Sequence, residues 1–183
     1  MNAFSLKSPK AATPDEDGRT TAIGLARFGL DYLNAALLVD EHMGKGPGCS
    51  RISPVPAYFL LTHAIELTLK AYLRHMGVSV KQLSSKEFGH DLKASYVKAQ
   101  ELGLDELFTT NDNDKLALDL LVRINEGHQL RYICTGTKEF PSWIIAEPFA
   151  VRLHQAISPH VGYKSLNLAC TAATTATYKT GPT

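Results

Sequence analysis

Chemistry in this sequence has to be sought without the usual landmarks. No HExxH, GxSxG, strand-linked GxGxxG or EF-hand loop is present, and the acidic residues are scattered with no evident acid/base dyad. Cys49, Cys134 and Cys170 lie far apart, are odd in number and have no CxxC or Cys/His ladder, which argues against a zinc site and a disulfide framework. Gly44-Lys45-Gly46-Pro47-Gly48 lacks the GxxxxGK[ST] spacing of a phosphate-cradling loop and reads as a breaker between helices. What remains is a polar row, His63, Glu66, Lys70 and Arg74. Glu66 and Lys70 are spaced to form a surface ion pair worth a few tenths of a kcal/mol. His90-Asp91 reads as the start and cap of a helix.

The elements that must carry these residues are helical. Ile23, Leu30, Leu33 and Leu37 recur at helical spacing in a first segment from Thr20 to about Met43. Ser53-Pro54 supplies a start signal for a second, to about Met76. Its apolar stripe is Tyr58, Leu61, Ile65, Leu69, Tyr72 and Met76, with the polar row opposite and Gly77 as its stop. Asp91 opens a third helix, with Leu92, Tyr96, Ala99 and Leu102 inward, ended by Gly103. Caps between Asn111 and Asp114 open a fourth. From Leu116 to Ile124 it is apolar over most of its circumference, as if covered on more than one side by its own bundle or by a second protomer. Arg131 to Thr137 suggests an extended or turn segment, and a last helix is expected from about Ile145 to Ile157. Trp143 is expected as a core or interface anchor.

Residues 1–19 read as a flexible lead-in without the apolar region of a secretory signal, and residues 163–183 as a disordered tail. Between them, residues 20–162 form one all-α domain, an antiparallel up-and-down bundle of four to five helices. No apolar run approaches the roughly 20 residues needed to span a bilayer, so a soluble, cytoplasmic protein is expected. A net charge of +1, from 19 basic and 18 acidic side chains, confines any RNA contact to a local patch. No cofactor or metal is expected.

The run Leu61-Thr62-His63-Ala64-Ile65-Glu66-Leu67-Thr68-Leu69-Lys70-Ala71-Tyr72-Leu73, followed by Gly77 and then Gly89-His90-Asp91-Leu92, resembles the HEPN superfamily (higher-eukaryote and prokaryote nucleotide-binding domains). The specific motifs lie between Tyr58 and Leu92; the likeness in architecture runs from about Ala22 to Ile157. It implies a small all-α bundle, typically a homodimer. Many members are metal-independent ribonucleases of toxin–antitoxin or phage-defence systems, and others are non-catalytic binding modules.

The ribonuclease branch places an Arg and then, after four to six intervening residues, a His on a late core helix, and Arg123-Ile124-Asn125-Glu126-Gly127-His128 has that form with four between them. The resemblance implies that His128 acts as general base on a ribose 2′-OH while Arg123 stabilises the attacked phosphate, leaving a 2′,3′-cyclic phosphate. Residues five apart on a regular helix point about 140° away from each other. The pair therefore converges only if the chain breaks near Gly127. Arg131, Tyr132, Lys70 and His90 complete the candidate substrate-binding set, although Arg131 and Tyr132 also suit plain surface and packing roles. The primary expectation is a non-catalytic module binding a nucleotide, RNA or a partner protein such as an antitoxin or nucleotidyltransferase. The alternative is the Arg-x4-His endoribonuclease.

Overall fold

The computed structural model describes residues 18–44, 53–85, 88–125, 130 and 139–164. Within them all regular structure is helical: α1 (Ala22–Met43), α2 (Val55–His75), α3 (Val80–Leu83), α4 (Leu92–Glu101), a 3₁₀ turn (Leu104–Glu106), α5 (Asp112–Asn125) and α6 (Trp143–His160). Both expected termini, and the extended segment expected over Arg131 to Thr137, lie almost wholly outside the described residues.

Local chemistry sets most of the boundaries. The Thr21 hydroxyl accepts from Gly24 N at 3.0 Å and starts α1. Asp91 caps α4 through Ala94 N at 2.8 Å, as its sequence position indicates. Asn111 and Asp114 cap α5 reciprocally, each side chain accepting the other's backbone N–H at 2.9 Å. Gly77 and Gly103, at φ of +92° and +91°, supply the left-handed turns that end α2 and α4. Helix α2 starts later than the Ser53 signal implies. Pro54 is its N-cap, with no side-chain cap bond, and Pro56 follows inside the first turn. Two prolines preset φ there, and Pro56 removes one donor that would otherwise need a partner.

Helix α2 is the hub, packed by α1, α4 and α6. Leu61, Ile65, Leu69, Tyr72 and Leu73 are fully enclosed, together with Phe149, Leu153 and Ile157 of α6 and Leu121 of α5. Each such side chain contributes about 1.5–3 kcal/mol by leaving water. Buried hydroxyls find acceptors: Tyr72 donates to Leu102 O at 2.8 Å and Tyr58 to Pro141 O at 2.6 Å. Trp143 sits in the core, edge-on to Tyr58 at 5.3 Å.

Four expectations are corrected. The polar row does not make one side of α2 a solvent face, because the turn over residues 88–91 covers part of it. Helix α1 buries Ala26, Gly29, Leu33, Ala36 and Asp40, leaving Ile23 50% exposed and Leu30 and Leu37 half-buried. Small residues lie inward because the α1 and α2 backbones approach closely. A Cβ on Gly29 would lie 2.9 Å from Thr68 Oγ1. Helix α1 is also long and apolar enough, by length and composition alone, to cross a bilayer, although its inner face is packed on α2. Helix α6 runs from Trp143 to His160 and so extends past both expected ends of the last helix.

Candidate functional site

Glu66 organises the polar row. It is 4% exposed on α2, and three nitrogen groups surround its carboxylate. Lys70 Nζ lies 2.7 Å and His90 Nδ1 3.4 Å from Oε1, and His63 Nδ1 lies 3.6 Å from Oε2. Burial alone raises a carboxyl pKa. Here the neighbouring His63 and Lys70 outweigh burial and hold Glu66 down at about 2. At 3.6 Å the His63 contact lies beyond hydrogen-bond length, so Lys70 is the tighter partner. The carboxylate is thus a fixed negative charge at neutral pH.

Glu66, Lys70, Gly89 and His90, four of the residues quoted for the family resemblance, meet at this point. Lys70 Nζ donates both to Glu66 and to Gly89 O at 2.8 Å, tying α2 to the turn before α4. Gly89 N donates to Ser85 O at 2.7 Å. A Cβ on Gly89 would come 2.8 Å from that same oxygen, so the turn needs glycine. His90 brings its ring to Glu66 and its carbonyl to Asn125 Nδ2 at 2.9 Å, and Asp91 caps α4. One glycine-bearing turn therefore locks α2, α4 and the last turn of α5 together. Lys70, a candidate for substrate binding, has two of its three donors committed to this lock. His90 stands at its rim with a side chain 42% exposed.

Arg123 lies on the outer face of α5, exposed and without a hydrogen bond or ion pair to another described residue. Its proposed partner His128, with Arg131 and Tyr132, lies outside the described residues. Arg152, by contrast, pairs with the buried Asp114 across α5 and α6 and covers the Phe108 ring at 5.4 Å. Among the described residues no group of three or more His, Cys, Asp or Glu could hold a metal ion.

Two features escaped the sequence reading. A buried hydrogen-bond chain joins Thr68, His154 and Ser158 between α2 and α6, with His154 Nδ1 3.1 Å from Thr68 Oγ1 and Nε2 2.8 Å from Ser158 Oγ. Burial depresses the His154 pKa to about 4, so its imidazole is neutral at physiological pH. Rings also gather on the α1/α2 seam, where His63 stands edge-on to Tyr32 at 4.5 Å and stacks toward Phe59. The i,i+4 spacings of His154/Ser158 and Phe59/His63 are visible in sequence, but only tertiary packing gives them partners. Compared with protein-family models, curated proteins and solved structures, the chain matches none.

Proposed function

We propose that this chain is a HEPN-like, non-catalytic module that binds RNA or a nucleotide and pairs with a second copy of itself. The observation that carries the reading is the outer face of α5. Leu116 is 51% exposed, and Arg123, two turns along the same stripe, has no partner among the described residues. A surface that sets an exposed apolar side chain two turns from a guanidinium with no partner among the described residues suits both self-association and phosphate binding. The Glu66–Lys70–His90 lock supports it by anchoring the end of α5, through Asn125, to the rest of the bundle. An antiparallel bundle, a cytoplasmic setting and an antitoxin or nucleotidyltransferase partner belong to the same reading.

The endoribonuclease alternative is favoured by the exposure of that same Arg123, since a phosphate-stabilising group must be available to substrate. One experiment separates the two. End-labelled single-stranded RNA is incubated with wild type, Arg123→Ala and His128→Ala in the presence of EDTA, and binding and cleavage are read in parallel. Retarded but intact RNA with wild type, weakened by Arg123→Ala, supports the module. Fragments ending in 2′,3′-cyclic phosphate that disappear with His128→Ala establish the enzyme instead. Absence of both binding and cleavage by folded wild type removes both readings.

A further inference from the structure

Helix α1 carries a second seam, on the side away from α2. Gly24, Phe28, Asp31, Ala35, Leu38 and His42 recur at alternating spacings of four and three, the interval that keeps one stripe of a helix against a neighbour. Phe28 is 58% and Leu38 55% exposed, and Arg27, Asp31 and Glu41 stand exposed beside them. Among the described elements α1 packs chiefly on α2 and α6, and neither covers this stripe.

The residues that precede α1 are placed to reach it. The Thr20 carbonyl accepts from Arg74 Nε at 3.1 Å, which fixes where the chain joins the bundle, and Gly18 is exposed. At 1.5 Å per residue, Leu38 lies roughly 26 Å along the helix from Thr21. The twelve steps from Gly18 back to Leu6 extend up to about 40 Å. Pro9 and Pro14 disfavour a helix over this stretch and favour extended backbone. The side chains also correspond in order. Along α1 come Arg27, then Asp31, then Leu38; back along the chain from Gly18 come Asp15-Glu16-Asp17, then Lys10 and Lys7, then Leu6 and Phe4. Folded back antiparallel to α1, the segment sets acid on base, base on acid and apolar on apolar. Residues 165–183, with Lys179 and no acidic side chain, offer no such order. We propose that residues 4–17 lie along the outer seam of α1 as an extended strap, with Phe4 and Leu6 over Leu38 and Lys10 paired to Asp31. The strap shields from water the one described helix that is long and apolar enough to cross a bilayer. It involves neither α5 nor Arg123, so its failure leaves the RNA reading untouched.

The test treats full-length protein with a carbodiimide, which joins lysine and carboxylate side chains in contact, and maps the linked peptides from monomer and dimer bands. Tryptic cleavage after Lys7 and Lys10 is timed in wild type, Leu38→Arg and Leu6→Ser, with Lys179 as the control site and thermal melts to show that each is folded. Linkage of Lys7 or Lys10 to Asp31 or Glu41 within the monomer, with cleavage after Lys10 about ten-fold faster in both variants and unchanged after Lys179, supports the strap. Leu6→Ser leaves α1 unaltered, so it decides the matter if Leu38→Arg does not fold. Linkage confined to dimers gives the face to a second copy and overturns the strap. Binding of wild type to phosphatidylcholine vesicles, abolished by Leu38→Arg, gives the face to a bilayer and overturns it too. Equal cleavage of wild type and folded Leu6→Ser, or no linkage at all, has the same consequence.

Discussion

The Thr68 hydroxyl donates to Ala64 O at 2.8 Å, so toward His154 Nδ1, 3.1 Å away, it can act only as an acceptor. The hydrogen-bond pattern thereby assigns the tautomer: Nδ1 carries the proton, and Nε2 accepts from Ser158 Oγ at 2.8 Å. A second imidazole proton, on Nε2, would force the Ser158 hydroxyl to turn from donor to acceptor. Charging His154 therefore reorders the chain and places a buried charge inside the core.

Acid stability follows from this chain. His154 has a folded pKa of about 4 against an ordinary 6.5. Between those values the unfolded chain binds the proton and the folded one does not, so stability falls as pH drops from about 6.5 to 4. The span corresponds to a loss on the order of 3 kcal/mol. Glu66, folded at about 2 against 4.5, adds stability that is complete above pH 4.5 and lost as pH falls toward 2. Denaturant midpoints should decline in two overlapping steps, and His154→Gln should flatten the upper one. An upper step of unchanged size in that variant would show that another group titrates there.

The Glu66–Lys70 pair should behave as a buried pair rather than a surface one. Glu66→Gln leaves the Lys70 ammonium, 12% exposed, facing a neutral amide and Gly89 O. Breaking one side of such a pair costs roughly 3–5 kcal/mol when fully buried, so a loss of about 2–3 kcal/mol is expected here. The exposed pair expected from spacing alone would cost a few tenths. Urea unfolding decides between them, with hydrogen exchange at Gly89 and His90 reporting whether the turn loosens first. A loss below about 0.5 kcal/mol, the range of ordinary surface substitutions, would mean that the turn is held by its other contacts.

Gly29→Ala sets two effects against each other. Helix propensity favours alanine by about 1 kcal/mol. The new methyl, however, would lie 2.9 Å from Thr68 Oγ1, and that hydroxyl is tied to Ala64 and His154 and cannot swing aside. Overpacking of this kind costs about 1–3 kcal/mol, so net destabilisation is expected. In a Thr68→Ala background the clash is gone and the same substitution should be neutral or stabilising. Equal effects of Gly29→Ala in both backgrounds, read from thermal melts, would refute the close approach.

How much of this was legible beforehand depended on how local the cause was. The stripe of α2 from Tyr58 to Tyr72, the Asp91 cap and the stops at Gly77 and Gly103 are set by neighbours within a turn or two, and sequence spacing revealed them; Met76, expected on the same stripe, lies past the helix and is 41% exposed. The environment of Glu66 was not legible, because its cover arrives from Gly89 and His90, some twenty residues on, and nothing in the His63–Arg74 row announces that turn. Helix α1 misled for the opposite reason. Its large apolar residues draw the eye, yet close backbone approach puts Ala26, Gly29 and Ala36 inside and leaves Ile23 half out. The short α3, with its Ser79/Gln82 capping box, is too brief for periodicity to detect.

The face of α5 provides the last test. Its apolar circumference is only partly covered in this chain: Ala117, Leu121 and Ile124 are buried, while Leu116 stays half exposed. A side chain that exposed contributes little to the fold, so Leu116→Arg should alter the unfolding free energy by no more than about 0.5 kcal/mol. If a second copy covers this face, the same substitution places a charge in an apolar contact and should shift light-scattering mass from dimer to monomer. Arg123→Ala, which removes charge without adding any, should leave the mass unchanged while weakening RNA retention. A wild-type monomer at micromolar concentration, or a Leu116→Arg protein that remains dimeric, would remove self-association from the proposed function and leave Arg123 to be explained by ligand binding alone.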